Sequence, residues 1–405
     1  MKSRWYRSSI VLVTALFFIL PAYTAGWESS GKEIHMEDAG SSRDMEIPVV
    51  FHFDPSGIEI SGIDGYLMIR KEGMTTTLGE GEPMVPMDIF SYVIHPYGSD
   101  MELEIIDTIS QLVKIPGDVA GIPEYSPISM EANVHIGAPT VDIVRPAELL
   151  SDGFIRGYHL QDIRFTPILP EGENTVRIYT TVNCVMSYSI PENVDMESKF
   201  TRPTSAFKAY LRNMVRNPYD LEIFNARPYS LTSSPLERED VQYVMITDTE
   251  KVGEHLQDLA DWKNSKGVPT RIVEMSFIKS NYSGRDTQEK VRNFIKDAVA
   301  TWETEFVLLG GDISVVPYRS TYVYANGYES TDCAADLYYS DLDGSFNADN
   351  DSRWGETTDN VDLRPDVFVG RATAETPAQM ETFVAKTMRY EIEPLSGYLD
   401  NVTLA

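Results

Sequence analysis

Phe306-Val-Leu-Leu-Gly-Gly-Asp312, answered by Asp366-Val-Phe-Val-Gly-Arg371, restricts the fold of this chain more than any other feature. Each segment is a short apolar run stopped by glycine and a polar residue, the pattern of a strand buried on both faces that ends at the functional rim of a parallel sheet. The surrounding sequence supplies helices between such strands. A strand over Tyr243 to Thr247 leads to a helix through Val252, Leu256, Leu259 and Ala260, closed by Gly267 with Pro269 just beyond. A strand over Thr270 to Glu274 follows, then a helix carrying Val291, Phe294, Ile295 and Ala298, opened by Asp286 and Glu289 at capping-box spacing. The strand Phe306 to Leu309, a long loop over residues 312–365 and the strand Asp366 to Gly370 come next. A last helix starts at Thr376-Pro-Ala-Gln379, with Thr as cap and Pro in the first turn. Strands alternating with helices predict right-handed crossovers and a mainly parallel sheet.

Before residue 240 the period is two. Ile47 to Phe53, Gly65 to Arg70, Ile89 to Ile94, Met101 to Ile106, Gly157 to Phe165 and Thr175 to Tyr188 are short alternating runs bounded by Gly, Pro and Asp. They predict a β-sandwich or open barrel. The division is therefore a leader over residues 1–25, a polar tether over 26–45, a β-rich region over 46–190, a linker with one short helix (Ala206 to Val215) over 191–240, and an α/β region over 241–405.

Lys2, Arg4 and Arg7 precede the apolar run Ile10 to Leu20 and the small residues up to Ala25, which predicts a signal peptide and export, with an uncleaved N-terminal anchor as the lesser alternative. The apolar run is too short for a spanning helix, so no stable membrane span is expected. Acidic residues outnumber basic ones 62 to 34, a formal charge of −28, which disfavours a nucleic-acid partner. Asn281-Tyr-Ser283 and Asn401-Val-Thr403 are glycosylation sequons.

The α/β motifs resemble the gingipain family of secreted cysteine peptidases. Tyr243-Val-Met-Ile246, Asp261-Trp-Lys-Asn-Ser-Lys-Gly267, the Phe306 and Asp366 segments, Asp336-Leu-Tyr-Tyr339 and Lys386-Thr-Met-Arg-Tyr-Glu391 follow that family's order. Gly81-Glu-Pro-Met-Val-Pro86, His95-Pro-Tyr-Gly98 and Gly157-Tyr-His-Leu-Gln-Asp-Ile163 are similar to its N-terminal prodomain. The resemblance implies a β-rich prodomain followed by an incomplete caspase-like domain, acting on protein or peptide substrates without a required cofactor. It also implies a catalytic His, in a His-Gly turn, and a catalytic Cys that both lie beyond residue 405. This chain alone is then expected to be inactive.

The residues agree with that expectation. A cysteine peptidase needs a thiolate and an imidazole within hydrogen-bond reach. The chain has two cysteines. Cys184 shares one strand face with Val176, Ile178, Val182, Met186 and Tyr188 and reads as core, and Cys333 falls in a polar loop, so both are expected to be free thiols. His255, in the body of the first α/β helix, is the one histidine within the α/β region. Gly310-Gly-Asp312 lacks the Lys-Ser/Thr of a phosphate loop and reads as a tight turn, with Asp312 either capping the following turn or bracing the neighbouring rim loops.

The loop around residues 338–362 is dense in oxygen donors, and Asp341, Asp343, Asn347, Asp349 and Asp351 are the candidate calcium ligands, Glu356, Asp359 and Asp362 lying close by. Their spacing does not complete an EF-hand, and a solvated acidic loop is the competing account. Arg238 is the candidate processing site, since Arg227 is followed by Pro228. The resulting expectation is the N-terminal portion of an exported endopeptidase precursor, secreted or on the cell surface, whose β-rich region contacts the catalytic domain and masks its rim until the linker is cut. The rival is a non-catalytic exported binding or inhibitory protein.

Overall fold

Alternation builds the first half of the molecule: side chains two residues apart share a sheet face, so each run buries one face. The computed structural model describes residues 42–77, 79–123, 136–191, 204–223, 234–325, 328–359 and 361–397, all within the compact unit Glu37–Ala405. The expected leader, the centre of the linker (residues 224–233) and the Asn401 sequon lie outside the described residues.

Ten strands come first: β1 (Ser42–His52), β2 (Ile58–Ile63), β3 (Tyr66–Lys71), β4 (Thr75–Thr76), β5 (Pro86–Ile94), β6 (Ser99–Lys114), β7 (Ala147–Ile155), β8 (Tyr158–Phe165), β9 (Ile168–Pro170) and β10 (Thr175–Pro191). β1, β10 and β6 run in that order in one antiparallel sheet, with β9 also on β10; β4, β5, β8 and β7 make another, and β2 and β3 a hairpin. Their inner faces share one core, in which Val49, Phe51, Val182 and Met186 of the first sheet meet Tyr92, Ile94, Ile163 and Phe165 of the second. Phe51 stacks on Phe165 at 4.7 Å. β1 begins inside the stretch expected to be a tether, because Met45 to His52 alternates and pairs with β10 along its length.

Two helices follow, α1 (Ser205–Met214) and the single turn α2 (Asp220–Ile223). Phe207 and Leu211 of α1 join Val93, Ile155, Tyr158 and Leu160 in a second, smaller core.

The α/β region contains β11 (Tyr243–Thr247), α3 (Leu256–Ser265), β12 (Thr270–Glu274), α4 (Met275–Asn281), α5 (Thr287–Trp302), β13 (Phe306–Gly310), β14 (Arg319–Ala325), β15 (Tyr328–Ala335), β16 (Phe368–Ala372) and α6 (Pro377–Ile392). β12, β11, β13 and β16 form a parallel sheet in that order. α3 packs on α6 and β12, and α4 on α5. The caps form where the sequence places them: the Asp286 side chain accepts from Glu289 N, Thr376 and Gln379 make a reciprocal capping box, and Gly267 adopts φ +82° just past α3.

The loop expected over residues 312–365 is corrected by the antiparallel hairpin β14–β15. Its inward positions hold Arg319 and Thr321 instead of apolar residues, while Tyr324 is exposed, so the usual strand pattern is missing. Cys333 therefore lies on a strand, with its carbonyl accepting from Thr321 Oγ1. His255 is also relocated: it precedes α3, after a wide turn over Thr249–Gly253 that Asp248 caps.

Candidate functional site

The order in which strands are laid across the sheet doubles back after β12, so β11 and β13 are neighbours whose following connections leave toward opposite sides. In open α/β sheets the crevice outside the carboxyl ends of such strands is the usual ligand site. Here Thr247, Asp248 and Gly310 to Asp312 stand at those ends. Thr247 Oγ1 donates to Gly310 O at 2.7 Å. A Cβ on Gly310 would meet Leu256 at 2.7 Å, and Gly311 sits at φ +136° against Val315, so both glycines are required by close approach. Asp312 accepts from Ser314 N at 2.9 Å and from its hydroxyl at 2.7 Å, which holds the carboxyl below its usual range. This is the capping turn anticipated from sequence. Arg371, near the end of β16, forks onto Asp336 at 2.7 Å twice and donates to Val316 O at 2.6 Å, joining the loop after β13 to the turn after β15.

No thiol at this rim has a histidine partner among the described residues. Cys184 is buried between the β-rich sheets, and burial pushes its thiol up to about 11. Cys333 is exposed, and both thiols are free. A cavity of about 420 Å³ lies on β6 beside Glu102 to Ile105 and Arg145, in the β-rich half and away from this rim.

The acidic loop is folded, and its five candidate ligands do not converge on one point. Asp341 and Asp343 meet Asp362, with one carboxylate oxygen of each within 4.8 Å of the others; Asp349 and Asp351 meet Glu356 in a second, more exposed group. Asn347 bonds backbone instead, donating from Nδ2 to Asp351 O at 3.0 Å, while its buried Oδ1 has no partner. Asp359, fully buried, organises the turn by accepting from Ala348 N, Gly355 N and Glu356 N.

Asp341 is fully buried, and its Oδ2 has no hydrogen-bond partner. Burial, followed by the charge of Asp362, raises its carboxyl to about 7 against the pull of Arg292. Crowding by protein atoms and then by Asp366, Asp362 and Asp341 raises Asp343 as well, although that side chain keeps an exposed edge. Asp362 is also raised by burial, and Asp366 to about 6. On the other side, Arg292 donates to Asp341 O and Gly344 O, and burial beside Arg292 lowers Lys296 to about 8. A hard cation takes six to eight oxygens, and Asp341, Asp343 and Asp362 with the orphaned Asp341 Oδ2 fit as part of such a set. Asp362 and Asp366 come from outside the five residues singled out in sequence. The acidity of the whole loop was the signal that could have found them.

Residues 236–405 match the model of peptidase family C25. Gingipain R2 of Porphyromonas gingivalis (strain ATCC BAA-308 / W83) is 24% identical over 325 residues, which are 77% of this chain and 38% of gingipain R2. Residues 236–405 are a gingipain-family C25 region. Gingipain R1 of Porphyromonas gingivalis is 23% identical over 252 residues, 61% of this chain and 21% of that protein. Among solved structures, the complex of Porphyromonas gingivalis RgpB pro- and mature domains aligns with 46% of this chain and 97% of its own at 14% identity and a TM-score of 0.33. Dimeric latent PorU from Porphyromonas gingivalis aligns with 94% of this chain and 40% of its own at 11% identity and a TM-score of 0.30. The chain thus spans well under half the length of the gingipains it matches, and its C25 region holds the sheet, the rim and both acidic groups.

Proposed function

We propose that this chain is the N-terminal portion of an exported gingipain-like cysteine endopeptidase precursor: a propeptide-type β-rich region followed by the first part of a caspase-like C25 domain. The observation that carries the reading is the C25 match over a parallel sheet whose strand order doubles back between β11 and β13. The two thiols support assigning the catalytic histidine and cysteine to sequence following residue 405, since one is buried with a raised pKa and the other is an exposed free thiol with no histidine partner among the described residues. Among the described residues no helix is long and apolar enough to cross a membrane. In this reading calcium is structural, held chiefly by Asp341, Asp343 and Asp362, where it would neutralise carboxylates that otherwise repel. Arg238 is exposed, as a processing site must be, but its neighbours are tied down: Glu237 O accepts from Trp302 Nε1 at 2.8 Å and Glu239 pairs with Arg271. The test is peptidase activity of the 405-residue chain beside a chain extended through a downstream Cys and His. Activity confined to the extended chain supports the reading, and activity of the short chain that Cys333→Ala abolishes contradicts it.

A further inference from the structure

The turn between β7 and β8 is built around a residue that the turn itself does not favour. Ile155 pairs with Tyr158, leaving Arg156 (φ +50°) and Gly157 (φ +79°) as a two-residue turn with both central residues left-handed. Such turns favour Asn, Asp or Gly at the first position, and an arginine there carries backbone strain. Its side chain accounts for the choice. Arg156 is fully buried, and it reaches out of the β-rich region into the C25 region. Its backbone N donates to Asp366 Oδ1 at 2.6 Å, its Nε donates to Asp366 O, and its Nη2 donates to Thr304 O. The guanidinium lies 4.7 Å from the Phe207 ring centroid.

The flanking contacts land at the same place. Phe154 N donates to Asp362 Oδ2 at 2.6 Å, and Arg364 reaches back to Asp162 at 2.9 Å. Phe207 and Tyr210 of α1 pack on Phe368 at 5.2 and 5.6 Å, and Phe368 stacks on Phe306 at 5.5 Å. Thr304 lies two residues before Phe306, residues 362–366 precede β16, and Phe306 and Phe368 are the first residues of β13 and β16. These contacts therefore gather at the amino ends of the parallel strands. The rim at Gly310 and Ala372 is four residues farther along, about 13 Å away. These contacts lie at the end of the sheet opposite the rim.

We propose that the Arg156 turn is a plug that fixes the β-rich region as the permanent base of the C25 sheet, so that cutting the chain between the two regions leaves them joined. The plug fits one partner, the pocket formed by Thr304 O and the Asp366 backbone and carboxylate. The proposal holds whether or not the extended protein is a peptidase.

A site for a sequence-specific protease, placed within residues 225–233 of the full chain, tests this. After cleavage the two fragments are expected to co-elute on a native sizing column and to separate only in denaturant; separation on the native column overturns the proposal. Arg156→Met, which keeps length but removes the charge and the fork, is expected to weaken association of the cut fragments at least 100-fold. Unchanged association overturns the plug. Should Arg156→Met not fold, Phe368→Ala is expected to weaken association roughly tenfold while the rim substitution Asp312→Ser leaves it unchanged; the reverse order places the contact at the rim and overturns the proposal.

Discussion

Asp366 and Arg156 lie 210 residues apart in sequence, and neither can be placed without the other. Asp366 is buried, accepting from Arg156 N and from Leu342 N at 2.7 Å. Asp366→Ala leaves the buried amides of Arg156 and Leu342 unpaired and removes the carboxylate charge that offsets the buried guanidinium, a change that costs about 3–5 kcal/mol. Arg364→Ala breaks a pair nearer the surface and should cost about 1 kcal/mol or less. Denaturant midpoints of the two variants check the contrast. Asp341 gives a pH signature. Its carboxyl is raised in the folded state, so between the usual carboxylate range and pH 7 the folded chain holds a proton that the unfolded chain has lost. Stability from this group is therefore present at low pH and falls as pH rises through about 7. In chelator, unfolding free energy should decline from about pH 4 to about pH 7 and level off above it, and saturating calcium should flatten the decline; a slope of the same size with and without calcium would remove Asp341 from the cation site. Sequence made the loop's acidity plain but hid Arg156 and Arg292, because a buried arginine is chosen by partners that are distant along the chain.

At the level of elements, the strands and helices were legible wherever period and caps agreed. β11, β12, β13, α5 and α6 fall where apolar spacing and the Asp286 and Thr376 caps put them. β14 and β15 were not legible, since their buried positions carry Arg319 and Thr321 and the apolar alternation that marks a strand is missing. Arg319 is held by a fork to Asp286 at 2.8 Å and lies 3.7 Å from the Trp354 ring centroid. Asp286 thus serves two elements, capping α5 and anchoring the hairpin. Thr376→Ala should lose only a helix cap, about 1 kcal/mol. Asp286→Ala should lose that and also strand Arg319, for a total of about 3 kcal/mol or more. Thermal and urea unfolding of the two variants decide it, and equal losses would mean that the hairpin does not depend on Asp286.

For the whole molecule, a net charge of −28 and two groups of facing carboxylates lead to the prediction that cations stabilise the fold. Calcium at 100 times its dissociation constant should add about 2.7 kcal/mol. Asp343→Asn should abolish the rise in melting temperature if Asp341, Asp343 and Asp362 hold the ion, and Asp351→Asn should abolish it if the second group does; a melting temperature indifferent to calcium and chelator would leave neither group as a site. The central claim, that these residues are the propeptide and the opening part of a C25 peptidase domain whose nucleophile lies elsewhere, is tested most directly by locating that nucleophile. A peptide-based thiol-reactive inhibitor should be reacted with a chain extended past residue 405 and the modified cysteine mapped by mass spectrometry. The account predicts a single labelled cysteine beyond residue 405, with labelling unchanged when Cys184 and Cys333 are both replaced by Ala; labelling at Cys333, lost in Cys333→Ala, would contradict it.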